Sequence, residues 1–437
     1  LEPITFDKYK EMLGNISSIS HTGKVTQVIG LTIESNGPTM ELGQICLLHN
    51  YKRTFSIRAE VVGFREGRVL LMPLGEPKGI GPGSLVESIH SVLKVAVSED
   101  LKGRILDGLG NPMDGKGHIS NKRLISIDNS PPNPLERKRI SKPLVLGIKA
   151  IDGLLTCGSG QRLGIFAGSG VGKSTLLGMI ARNTEADVNV IALVGERGRE
   201  VKEFIQKDLG EEGLKRSVLV VATSDQPPLV RVKAALVATT IAEYFRDKGL
   251  NTLLMMDSIT RFAMAQREIG LAIGEPPVAR GYTPSVFAQL PKLLERSGNS
   301  SEASITGLYT VLVDGDDFNE PISDAVRGIL DGHIILSRDL ANSNHYPAID
   351  VLGSVSRVMP DIVGDDHLHK AGRIKTLLAA YRESQDLINI GAYNHGSNST
   401  IDEAIEKMSQ INEFLQQSVA DRFDMITTME WMSRIVQ

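Results

Sequence analysis

The strongest chemical signal lies in eight consecutive residues, Ala167-Gly168-Ser169-Gly170-Val171-Gly172-Lys173-Ser174. Glycines at this density let backbone N–H groups turn inward around an anion, and a helix start behind them adds positive potential. The closing pair suits a nucleotide: Lys173 would reach the β- and γ-phosphates, and the Ser174 hydroxyl would ligate Mg²⁺. The apolar run Leu163–Ala167 precedes the loop and the helical run Thr175–Arg182 follows it, which is the strand–loop–helix context required. Gly168, Ser169, Gly170, Val171, Gly172, Lys173, Ser174 and Thr175 are therefore the expected nucleotide contacts. Ala167 stands where the motif usually has its first glycine, a variation within its looser form.

Hydrolysis also needs a carboxylate to orient water and another near the metal. Leu253-Leu254-Met255-Met256-Asp257 is an apolar strand ending in an acid, so Asp257 is expected at the carboxyl edge of a sheet, meeting Mg²⁺ through water. Read alone, Asp257 also fits as the cap of a helix over Ser258–Ala265. Val190–Val194 is a second strand, followed by Gly195-Glu196-Arg197-Gly198-Arg199-Glu200. Glu196 is the candidate to polarise water, with Glu200 and Glu203 as rivals that spacing does not rank.

Three zones must position these groups. Short β-like runs (Lys24–Glu34, Gln44–Leu48, Ser56–Phe64, Arg68–Leu74) punctuated by Gly and Pro predict a small barrel over 1–92. Lys24–Glu34 reads as one half-buried strand with Val25, Gln27, Ile29, Leu31 and Ile33 on one face. Over 93–365, strands at Leu163–Ala167, Val190–Val194, Val218–Ala222, Thr252–Met256 and Thr306–Val313 alternate with helices, predicting an α/β core around a mainly parallel sheet. Residues 366–437 read as helical: Thr400-Ile401-Asp402-Glu403 has the form of a capping box, and Ile405, Met408, Ile411, Phe414 and Leu415 form an apolar stripe read as core.

The composition narrows the function further. At 437 residues the chain has room for two or three domains, and 48 Lys+Arg against 52 Asp+Glu leave a net charge of −4, against a protein that coats nucleic acid. Cys46 and Cys157 are the only cysteines, so a disulfide framework is not expected and a reducing cytosol fits. No run approaches the ~20 apolar residues of a membrane span. The chain opens Leu1-Glu2-Pro3, without a signal peptide or initiator Met, so further natural N-terminal residues are expected. The nine histidines show no metal spacing beyond His367-Leu368-His369, which splays on a helix, and Arg137-Lys138-Arg139 reads as a solvated or interface run.

Together with Gly158–Thr175 and Asp257-Ser258-Ile259-Thr260-Arg261-Phe262-Ala263, the sequence carries Gly274-Glu275-Pro276-Pro277, Arg280-Gly281-Tyr282-Thr283-Pro284-Ser285, Asn319-Glu320-Pro321 and Arg327-Gly328-Ile329-Leu330-Asp331-Gly332-His333. With these it resembles, over essentially its whole length, the hexameric ATPases that include the catalytic head subunits of rotary ATP synthases. Within them it resembles the type III secretion ATPases, the flagellar-export branch most closely, while the injectisome branch shares the same active-site residues. The resemblance implies an N-terminal β-barrel, a RecA-like P-loop core and a C-terminal helical domain. It also implies that Glu196 activates water, that Arg197 and Arg261 lie near the γ-phosphate, and that Tyr346 lines the adenine pocket, where the residue alone also reads as a core or interface tyrosine. Arg357, in Ser354-Val355-Ser356-Arg357, matches an arginine that crosses a subunit boundary to the neighbour's γ-phosphate; the bland reading is a surface arginine.

Since one chain carries both Glu196 and Arg357, a homohexamer could complete every site. The implied setting is the cytoplasmic face of the inner membrane, peripheral to it. The implied partners are stalk, regulator and export-gate proteins with exported proteins and their chaperones. A Rho-like RNA translocase would need basic residues interleaved with aromatics in its barrel. Residues 1–90 hold nine Lys+Arg and nine Asp+Glu, and Phe6, Tyr9, Tyr51, Phe55 and Phe64 are scattered, so no nucleic-acid partner is expected. A nucleotide-binding subunit without hydrolysis would be expected to lack Glu196.

Overall fold

A computed structural model describes residues 21–313, 317–318 and 320–437. Phe6, Tyr9 and Asn319, used in the sequence reading, lie outside the described residues. The chain forms two compact units, one ending at Leu93 and including Ile269–Glu275, the other made of Lys94–Glu268 and Pro276–Gln437.

The first unit is a closed antiparallel barrel of β1 (Thr22–Ile29), β2 (Thr32–Asn36), β3 (Gln44–His49), β4 (Ser56–Arg65), β5 (Arg68–Pro73) and β6 (Leu85–Val92), in the order β1-β2-β5-β4-β3-β6. Alternate residues such as Val25, Ile33, Leu48, Val61, Leu71 and Val86 fill it. The single strand expected over Lys24–Glu34 is instead a hairpin. Ile29 pairs with Thr32 across Gly30, whose φ of +56° suits glycine, and Ile29 and Leu31 are exposed at the tip. Unbroken alternation hid a two-residue turn.

In the second unit, β7 (Lys94–Val97) and β9 (Arg123–Ser126) make a separate ribbon. The main sheet contains β8 (Ile105–Asp107), β10 (Arg162–Ala167), β11 (Val188–Val194), β12 (Ser217–Ala222), β13 (Thr252–Asp257), β15 (Ser304–Leu312), β16 (Gly332–Leu336) and β17 (Ile349–Ser356), with the short β14 (Gly298–Asn299) beside β15. The order is β17-β16-β10-β15-β13-β11-β12-β8, parallel except for β17 on β16 and β14 on β15. All seven residues of β11 are buried, as a strand covered on both faces requires. Strands β16 and β17 do not stand out by alternation in the sequence; β17 breaks its pattern at Gly353.

Helices α1 (Lys149–Leu154), α2 (Lys173–Asn183), α3 (Gly198–Glu203) and α4 (Pro228–Asp247) belong to this unit, as do the C-terminal α5 (Asp365–Asn389), α6 (Ser399–Leu415) and α7 (Met425–Val436). The C-terminal helices share one hydrophobic cluster with the sheet and α1: Ile374, Leu377, Ile411 and Phe414 join Leu163, Ile165 and Leu308 of the sheet and Ile151 of α1. Met408, Ile411, Phe414 and Leu415 are buried as expected, whereas Ile405 reaches solvent. The expected capping box is not formed, and the cap lies two residues earlier. Asn398, not Thr400, caps α6, its Oδ1 accepting from the N–H of Thr400 at 2.9 Å, while Asp402 instead accepts from the Tyr393 hydroxyl. Arg137 is likewise not solvated, since it donates to the carbonyls of Ser297 and Glu295. Among the described residues, no helix is long and apolar enough to cross a membrane.

Candidate active site

Strand β10 ends at Ala167 in the middle of the sheet, the glycine loop follows, and α2 starts at Lys173. Gly172, the residue before the helix, has φ +88°, and a Cβ there would approach the Tyr346 ring at 3.4 Å. The positive φ favours glycine, while the ring contact would be an ordinary one. Val171 differs from its neighbours: its side chain is buried in the core, leaving only its backbone to face a ligand.

Parallel pairing brings the two acidic strand ends together, because Leu193 of β11 lies opposite Asp257 of β13. The Lys173 ammonium sits between the acids, 2.5 Å from Asp257 Oδ1 and 3.5 Å from Glu196 Oε1. Burial works against its charge, but the two carboxylates outweigh it and hold its pKa above the ordinary value. Thr310, on the adjacent β15, donates to the same Asp257 oxygen at 2.7 Å. The Arg261 N–H bonds to the Ser258 hydroxyl at 3.2 Å, so Ser258 serves the helix Ile259–Ile273 and Asp257 is directed into the site.

The Glu196 backbone is held by Ser224 N–H at 3.0 Å, and Gly195, at φ +72°, lets Arg261 approach to where a Cβ would lie 3.0 Å from it. Burial and the nearby Asp257 push the Glu196 carboxyl up to about 7, against the pull of Lys173. Of the rivals, Glu200 lines the same cavity and hydrogen-bonds to Glu196, whereas Glu203 lies outside it, exposed and near Arg199.

This cavity, of about 340 Å³, is lined by Gly168, Ser169, Gly170, Gly172, Lys173, Ser174 and Thr175 together with Glu196, Arg197, Glu200 and Arg261. Arg261 Nε is buried with no hydrogen-bond partner, an unmet donor of the kind a phosphate oxygen satisfies. Arg197 is largely exposed at the rim, 3.5 Å from Glu200. Among the described residues, no group of three His, Cys, Asp or Glu side chains could hold a metal ion. The donors present fit a Mg²⁺ that takes most of its ligands from phosphate and water.

A second recess adjoins the loop at Tyr346 and is lined by Lys149, Gln416, Gln417, Phe423 and Trp431. Lys149 Nζ lies 3.9 Å from the Trp431 ring centre and 4.6 Å from that of Phe423. The sequence reading missed Phe423 and Trp431, which stand more than 70 residues after Tyr346 with no periodic signal.

Arg357 is not brought to this site. Because β17 runs antiparallel, Ser356 lies opposite Gly332, at the start of β16, so Arg357 follows at the sheet edge away from the phosphate loop. The length of β10, roughly 15–20 Å, separates the two edges. Arg357 is exposed and, among the described residues, makes no ion pair within its own chain.

Three family models match: the beta-barrel domain of the ATP synthase alpha/beta family at residues 25–89, its nucleotide-binding domain at 147–356, and the T3SS EscN ATPase C-terminal domain at 363–434. The flagellum-specific ATP synthase of Bacillus subtilis is 59% identical over 401 residues, 92% of each chain. This chain belongs to the type III secretion ATPases. Within that family it is also 52% identical to the type 3 secretion system ATPase of Xanthomonas euvesicatoria, over 94% of this chain and 93% of the other. Assembled EscN from enteropathogenic E. coli superposes with a TM-score of 0.90 at 47% identity, over 95% of this chain and 100% of EscN, and EscN has also been solved with its central stalk EscO. The barrel, mainly parallel nucleotide-binding sheet and helical C-terminus expected from the sequence are the architecture of this family.

Proposed function

We propose that this type III secretion ATPase is a Mg²⁺-dependent ATP hydrolase working as a homohexameric ring for flagellar protein export, with 1–92, 93–365 and 366–437 as its functional parts. One observation carries the reading. A buried lysine is poised between two strand-end acids beside the glycine loop, while the same chain holds Arg357 at the far edge of the sheet, out of reach of its own site.

On ATP binding, Lys173 exchanges its Asp257 contact for phosphate oxygens, and the Arg261 Nε gains a partner. Ser174, with Asp257 through water, would hold Mg²⁺, which would supply charge neutralisation at the phosphates. Glu196 orients the attacking water. Arg197 adds charge at the rim, and Tyr346 with Phe423 stacks on the base. Arg357 from the neighbouring subunit completes the site, a contribution worth ~10³–10⁵ in rate for arginines of this kind.

The flagellar role draws on the higher identity to the Bacillus subtilis protein, 59% against 52% for the Xanthomonas relative. An injectisome role is the second reading, favoured by the fold match to EscN. The stalk partner is proposed from the EscN–EscO complex. Regulator, export-gate, exported and chaperone proteins follow from the flagellar role, as does the cytoplasmic face of the inner membrane. Phosphate release by Lys173→Ala and Glu196→Gln tests the chemistry: both should fall to a small fraction of the parent rate, and a Glu196→Gln protein as fast as the parent would refute the water assignment. Deleting the gene tests the role, with loss of filaments expected and loss of effector secretion alone pointing to the injectisome.

A further inference from the structure

The segment that carries Arg357 is anchored on strand β10. The Arg357 N–H donates to the Asp331 carbonyl at 3.0 Å, and its guanidinium donates to the Leu330 carbonyl at 3.2 Å. Gln161 donates to the same Asp331 carbonyl at 3.0 Å and to the Ser356 hydroxyl at 3.1 Å. Both hydrogen bonds that Arg357 itself makes therefore land on residues 330–331, while the preceding Ser356 is held separately by Gln161 and by the Thr156 carbonyl, to which its hydroxyl donates at 2.9 Å.

Residue 331 is fixed by Arg162, the first residue of β10. Arg162 Nε and Nη2 reach the two Asp331 oxygens at 3.1 and 3.2 Å, and the Arg162 N–H reaches one of them at 3.0 Å. The Asp331 N–H returns a bond to the Arg162 carbonyl at 2.9 Å. Arg162 also pairs with Glu295, and its side chain is only 14% exposed. A planar fork of this kind sets orientation as well as attraction. The other end of β10 is Ala167, where the phosphate loop begins.

We propose that Asp331, locked by Arg162, is a positioning residue for Arg357, setting where the guanidinium lent to a neighbour's γ-phosphate stands. The inference rests on the reading of Arg357 as acting across a subunit boundary. A misplacement of about 1 Å can cost on the order of 10²-fold in rate, so a lost fork should show in turnover.

The test is a subunit mixture. Lys173→Ala subunits lack a working site but supply Arg357; Arg357→Ala subunits have a site but lack the arginine. Mixed rings should recover turnover where the first kind abuts the second. Asp331→Asn, which keeps the carbonyl but removes the charged fork, is then added to the Lys173→Ala donor or to the Arg357→Ala acceptor. Turnover should fall at least tenfold further in the donor arm than in the acceptor arm, with KM for ATP little changed. Equal loss in both arms, or loss in neither, overturns the proposal, because a merely structural residue does not distinguish the subunits. Failure of the unaltered pair to recover any turnover overturns the reading across the boundary, and the inference with it. If Asp331→Asn does not fold, judged by its melt and ring mass, Arg162→Lys takes its place in the same arms, with the same outcomes deciding.

Discussion

Glu196 combines a raised pKa with a proposed role, orienting the attacking water, that needs its charged form. Burial, the chief cause, pushes its carboxyl up to about 7. Raising pH through 7 deprotonates it, so the form able to orient and accept a proton from water grows with pH. Since kcat/KM reports ionisations of the free enzyme, it should drop about tenfold per unit below a midpoint near pH 7. Glu196→Gln should remove that limb along with most of the rate; an unchanged limb in the variant would assign it to another group. Phe423 invites a different measurement. Stacking on an aromatic ring is worth about 1–3 kcal/mol per base, so Phe423→Ala should raise KM for ATP roughly 5–150-fold with kcat nearly unchanged. A fall in kcat at constant KM would place the base elsewhere.

The elements around the site show how local signals succeed and fail. Strand, glycine loop and helix are consecutive in the chain, so the phosphate loop was legible from residues 163–182 alone. The barrel hairpin was not, because β1 and β2 continue one alternating pattern across Gly30. The start of α6 was misread for a related reason: Thr400 and Asn398 both suit a cap, and only the backbone conformation chose Asn398. Asn398→Ala should therefore destabilise the protein by about 1 kcal/mol, seen as a lower melting midpoint, with Thr400→Ala costing clearly less. The reverse ranking would restore the capping box.

At the scale of the molecule, each chain holds a phosphate loop at one edge of its sheet and Arg357 at the other. Isolated subunits should hence be poor ATPases. Dilution below the assembly concentration should lower specific activity in step with loss of ring mass, and Arg357→Ala should lower kcat ~10³-fold or more while ATP still binds. Full activity in a demonstrably monomeric protein would exclude a shared site. The sequence by itself determined the strand, glycine loop and helix start whose groups are proposed to hold phosphate, since backbone conformation and side-chain chemistry over some twenty residues suffice for these elements. It also pointed to Asp257, which ends an apolar run, and to Glu196, just past another, although spacing did not rank Glu196 above Glu200 and Glu203. The tertiary structure alone decided that Asp257 and Glu196 flank Lys173, that Phe423 and Trp431 meet the Tyr346 recess, and that Arg357 faces away. Those facts depend on strand order and direction, which long-range pairing sets and a hydrophobic period of two residues does not encode.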